Sequence, residues 1–125
     1  MKIVVAQLNN IVGDIQGNVD KVIQALSDKK AIETDLLVFS ELFISGYPPE
    51  DLLHKDHFVQ DNVKILRSLV KETADITAII GFVDVDKNKK IYNAAAIVTN
   101  KKIKGVYRKE ELPNYGVFEI GRAHV

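Results

Sequence analysis

The chain has 125 residues, 46% of them hydrophobic and 27% charged, with 17 basic and 17 acidic side chains and no cysteine. That length holds one domain with one core, and zero net charge argues against a general nucleic-acid or membrane-surface binder. Without cysteine there is no disulfide and no cysteine-ligated metal, and no apolar run of about 18 residues is present to span a bilayer. Met1-Lys2 leads into a strand-like run rather than a secretory leader, so cytoplasm is the expected location.

Residues 2–8 are β-branched and apolar and end at Asn9-Asn10, which predicts a strand. Gly13-Asp14 then marks a helix start, with Asp14 placed to accept from a free amide of the first turn. Val19, Val22, Ile23 and Leu26 follow at helical spacing, and Lys29-Lys30 suit the helix end. Residues 35–39 form a short continuous apolar run, a strand covered on both sides. Pro49 with Glu50 and Asp51 predicts the first turn of a short helix. Val59, Val63, Leu66 and Val70 make an apolar stripe, predicting a long helix over 56–73. Strands are expected over 77–85, 91–99 and 103–107, joined by the polar turns 86–90 and 100–102 as a meander. The order β-α-β-α-β-β-β predicts an α/β sheet covered by helices on one face.

Two segments could carry chemistry. In the first, Leu36-Leu37-Val38-Phe39 runs through Ser40 into Glu41, ahead of a Gly46-Tyr47-Pro48-Pro49 turn. A carboxylate directly after an apolar strand is partly desolvated, which raises its pKa and makes it a better base. A loop acid that caps the helix after Pro49 is the plainer reading of Glu41. In the second, Lys109 follows a strand and precedes Leu112-Pro113, although Glu110 and Glu111 could simply balance its charge. Tyr47 and Tyr115 sit in these two loops, suited either to line a substrate pocket or to plug the rim of the core. Gly13 to Asn18 opens a helix after a strand but lacks the phosphate-loop spacing, and Asp14 would repel phosphate, so capping is the better reading. His54 and His57 have no third ligand at motif spacing, so no metal site is expected.

Three stretches resemble the nitrilase, or carbon–nitrogen hydrolase, superfamily, and more narrowly its branch of glutamine-dependent NAD synthetase glutaminase domains. They are Ile3 to Asn9 with Val12 to Ile15 and Gly17-Asn18; Leu36 to Leu42, with Ser40 in place of the family's usual proline; and Tyr92 to Ala96 with Tyr107-Arg108-Lys109. Gly46 to Leu53 and Leu112 to Phe118 are the marks of the branch. The resemblance covers residues 1–118; residues 119–125 have no period and look like an artefactual tail.

The resemblance implies the N-terminal portion of an α-β-β-α sandwich with a Glu–Lys–Cys triad. Glu41 matches its general base and Lys109 the cation that stabilises the oxyanion, with the cysteine nucleophile beyond this chain. It further implies glutamine as substrate and a missing C-terminal synthetase domain that uses ATP and Mg to amidate deamido-NAD. The hydrolase domain itself would need no cofactor, and the full-length parent would be a homo-oligomer. Another nitrilase-type amidase is the alternative within enzymes. A binding module whose Lys87 to Lys109 cluster touches nucleic acid is the alternative outside them, disfavoured by zero net charge.

Overall fold

The computed structural model describes residues 1–112, apart from residues 32, 48, 50, 51 and 54. The order is β1 (Ile3–Ala6), α1 (Ile15–Ala31), β2 (Leu36–Phe39), α2 (Asp56–Leu69) with a 3-10 turn at Val70–Glu72, β3 (Thr77–Val85), β4 (Ile91–Thr99) and β5 (Lys102–Glu111). The expected helix over 56–73 is therefore α2 plus that turn. The short helix expected at Pro49 falls largely outside the described residues. Strand β5 runs four residues past the expected end, because pairing with β4 continues to Tyr92↔Glu111.

The sheet has the order β1-β2-β3-β4-β5. β1, β2 and β3 are parallel neighbours, so each pair needs a crossover, and α1 and α2 supply them. Such crossovers are right-handed, and two that step the same way across a sheet leave both helices on one face. β4 and β5 complete an antiparallel meander. The β4–β5 turn has two residues, Asn100 and Lys101, both with positive φ, as the twist of a tight hairpin demands.

The core lies between the helices and one face of the sheet. Val19, Val22 and Leu26 of α1 and Leu66 and Leu69 of α2 meet Leu37, Ala78, Ile80, Phe82, Ala96 and Val98. Alternation along the strands sends these residues to the helix side, and each large one contributes about 1.5–3 kcal/mol by leaving water. Asp14 caps α1 as expected: its Oδ1 accepts from the Gly17 amide at 3.0 Å. Among the described residues no helix is long and apolar enough to cross a membrane.

Candidate functional site

The chain leaves β2 at Phe39 and turns sharply through Ser40, Glu41 and Leu42. Leu42 has φ 51°, a left-handed conformation costly for a side-chain-bearing residue. Burial compensates: Leu42 is 1% exposed and packs with Leu53, Val59, Val83 and Ile91 in a second apolar cluster. The turn also rests on the backbone of β3. A Cβ at Gly81 would lie 2.5 Å from both the Leu42 nitrogen and the Ser40 oxygen, so glycine alone permits this approach. The Ile44 amide donates to the Gly81 carbonyl at 3.2 Å.

A second clamp comes from the loop before α1. Asn18, fully buried, donates to the Ile11 and Ile44 carbonyls at 2.8 and 3.1 Å and accepts from the Ile11 amide at 2.8 Å. Asn10 donates to the Phe43 carbonyl, and the Gly13 amide to that of Ser45. The loop that carries Glu41 is thus held from two sides, and at the buried Asn18 an unmade hydrogen bond would be expensive.

Lys109 reaches the same place from the far side of the sheet. It lies inside β5, not after a strand as expected. The β4–β5 register passes from Ala94↔Arg108 to Asn93↔Glu110, so Lys109 is the extra residue of a bulge. A bulge re-aims the side chain it carries. The Lys109 Nζ donates to Glu41 Oε1, and Asn93 Nδ2 donates to the same oxygen at 2.7 Å. The lysine and glutamate side chains remain 59% and 41% exposed.

This geometry corrects one expectation. The Glu41 carboxyl is not raised by desolvation. The Lys109 hydrogen bond, then the Asn93 hydrogen bond, hold it below its ordinary value and outweigh the burial that would raise it. Lys109 moves the other way, raised chiefly by its hydrogen bond to Glu41. Glu41 is therefore a carboxylate, and Lys109 an ammonium, throughout the neutral range.

Glu41, Lys109 and Asn93 line one concavity of about 210 Å³ with Phe39, Ile79, Gly81, Ala95 and Tyr107. A larger hollow of about 670 Å³ lies between the start of α1 and α2, but the fixed acid–cation pair is absent from it. Tyr47 is 61% exposed and is not in the wall of the concavity, although its phenol is near enough to Lys109 to help raise it. Tyr115 lies outside the described residues, as do His54 and the tail 119–125. Asn93 is the residue that sequence reading passed over as part of a strand. The signal was there: a lone amide in the apolar run Ile91 to Val98 must find a polar partner when buried.

Comparison with known proteins bears on this site. The profile of the carbon-nitrogen hydrolase family matches residues 2–121. A glutamine-dependent NAD(+) synthetase from Thermotoga maritima is 46% identical over 124 residues, 98% of this chain and 21% of its own length. The solved structure of glutamine-dependent NAD+ synthetase from Acinetobacter baumannii in complex with adenosine diphosphate superposes with a TM-score of 0.79 at 35% identity, covering 94% of this chain and 23% of that one. An amidase from Nesterenkonia sp., at 22% identity and a TM-score of 0.75, covers 93% of this chain and 44% of its own, and shares the fold. The chain spans about a fifth of the length of the curated synthetases it matches.

Proposed function

The chain belongs to the carbon–nitrogen hydrolase family, and from that premise we propose that it supplies the acid–base and cationic part of a glutaminase site in a larger NAD synthetase. The observation that carries this reading is the contact between Glu41 and Lys109, 68 residues apart in sequence, at one concavity. The 46% identity to a glutamine-dependent NAD(+) synthetase supports glutamine as the amide donor.

The chemistry follows from the side chains. A thiol needs a base beside it to attack an amide at neutral pH. Glu41, ionised, accepts that proton when a cysteine of the parent polypeptide approaches. The thiolate attacks the glutamine side-chain carbonyl, and negative charge develops on the carbonyl oxygen. An ammonium has three donors, so Lys109 can hold Glu41 with one and stabilise the oxyanion with another. Glu41 then returns its proton to the departing ammonia, and water hydrolyses the thioester.

The chain has no cysteine, so by itself it carries out no turnover in this reading. ATP and Mg belong to the synthetase domain of the parent. At the start of α1, where a helix N-terminus would invite phosphate, the Gly17 amide is already taken by Asp14.

The test is ammonia release from glutamine by the parent polypeptide. Glu41→Gln and Lys109→Met should each lower kcat by about a hundredfold or more. Preference for a short aliphatic amide over glutamine, or full activity in either variant, overturns the reading.

A further inference from the structure

The proposed triad leaves one buried polar side chain at the site without a role. Asn93 is 3% exposed and sits in the middle strand of the β3–β4–β5 meander, opposite Val83 on one side and Glu110 on the other. A residue so placed has little rotational freedom, because both neighbouring strands fix its backbone and burial fixes its side chain. Its Nδ2 donates to Glu41 Oε1 at 2.7 Å, and the Glu110 Oε1 lies at the limit of reach, 3.5 Å away. Glu41 has no comparable anchor of its own. It is 41% exposed on a turn, and its other partner, Lys109, is 59% exposed on a flexible four-carbon stem.

We propose that Asn93 is a positioning residue: its amide fixes the Glu41 carboxylate in the orientation from which it meets Lys109 and an incoming thiol. The proposal rests on the glutaminase reading for its consequence but not for its geometry. By occupying Oε1 together with Lys109, Asn93 leaves Oε2 as the oxygen free to take a proton. A base presented by one defined oxygen holds its near-attack geometry without ordering a mobile side chain at each turnover. Asn93 acts through Glu41 and touches neither substrate nor nucleophile in this scheme. The charged groups facing it are Glu41 from the turn after β2, with Lys109 and Glu110 from β5.

The direct test needs no change at Asn93 or Glu41. In the 125-residue chain with labelled carboxylates and side-chain amides, the Asn93 amide protons should shift with the same midpoint as the Glu41 carboxyl on acid titration. Repeating it with Glu110→Gln, which removes the second carboxylate from the titration, should leave that coupling intact. An Asn93 amide that ignores the Glu41 midpoint overturns the proposal.

Two variants extend the test. Asn93→Ala removes the donor, and Asn93→Asp keeps the shape but turns the donor into an anion. The Glu41 midpoint should rise in the order wild type, alanine, aspartate. A merely structural asparagine would lower the melting temperature and leave the Glu41 midpoint unmoved, and that result also sinks the idea. In the parent polypeptide Asn93→Ala should lower kcat about tenfold to a hundredfold with KM for glutamine nearly unchanged. The two readings fail separately: full ammonia release by Glu41→Gln removes the glutaminase role but not the Asn93–Glu41 coupling, whereas an uncoupled amide removes the positioning role alone.

Discussion

The two faces of the sheet are made of the same kinds of residue and stand in opposite environments. On the helix side Leu37, Ala78, Ile80, Ala96 and Val98 are fully buried. On the other side Ile3, Val5 and Ile97 keep 56%, 62% and 42% of their surface, and Tyr107 keeps 67%. β-branching and apolarity select a strand, but they do not provide a cover. Burial needs a second layer, and on this side, within the described residues, the segment around Leu42 and Leu53 covers only the end of the sheet at Val83 and Ile91. The concavity with Glu41 and Lys109 opens on the uncovered side, in the same strand alternation as Ile97. An apolar face of this extent marks an interaction surface or an aggregation liability, and the sandwich expected from the sequence would place a second sheet there.

The contrast can be broken most forcefully from the covered side. Phe82 is 1% exposed among the core residues, and Phe82→Ala should cost about 3–5 kcal/mol by transfer and cavity terms together. Urea unfolding of the chain gives the number; a loss below about 1 kcal/mol would mean that this face is not packed as described. The same measurement on Ile97→Thr should give a change within about 0.5 kcal/mol, as for a surface position. That variant should also bind less of a hydrophobic dye and stay soluble at higher concentration. A loss of several kcal/mol at Ile97 would show that this face is covered in solution, for instance by a second copy of the chain.

The smallest effect concerns the charge pair at the margin of the two faces. Glu41 is lowered from its ordinary value of 4.5, so its contribution to stability is fully present above 4.5 and is lost as pH falls through its folded value. Lys109 is raised from 10.5, so its contribution is fully present below 10.5 and is lost as pH rises through its folded value. The difference in unfolding midpoint between wild type and Lys109→Met should therefore be level between these two ordinary values and shrink outside both. Because both side chains are more than a third exposed, the difference should be small and should fade further with added salt. A difference that grows under acid would contradict the pairing.

Much of this was legible in the chain itself. Apolar β-branched runs between polar turns located the five strands among the described residues, and period-3.6 stripes located both long helices, because each element has to present an apolar face wherever it packs. Strands β3 and β4 agree with their expected bounds, 77–85 and 91–99, since polar turns fence them on both sides. Asp14 announced its cap because capping is local chemistry that three residues settle. The family resemblance carried by the motifs around Glu41 and Lys109 also implied that they share one site.

What needed the tertiary structure was everything that depends on register and on contacts far apart in sequence. The bulge at Lys109 leaves no sign in Tyr107-Arg108-Lys109-Glu110, because it arises from pairing with Asn93 and Ala94 on another strand. The lowered carboxyl of Glu41 could not be read from its own neighbours, which suggested desolvation and the opposite sign. Its two hydrogen-bond donors lie 52 and 68 residues away. The strained turn at Leu42 likewise persists because Gly81, on the adjoining strand, leaves room for it. Local patterns determine which elements form, since their free energy depends on near neighbours. The electrostatics of the site belong to the fold, because charge and hydrogen bonding act through space and not along the chain.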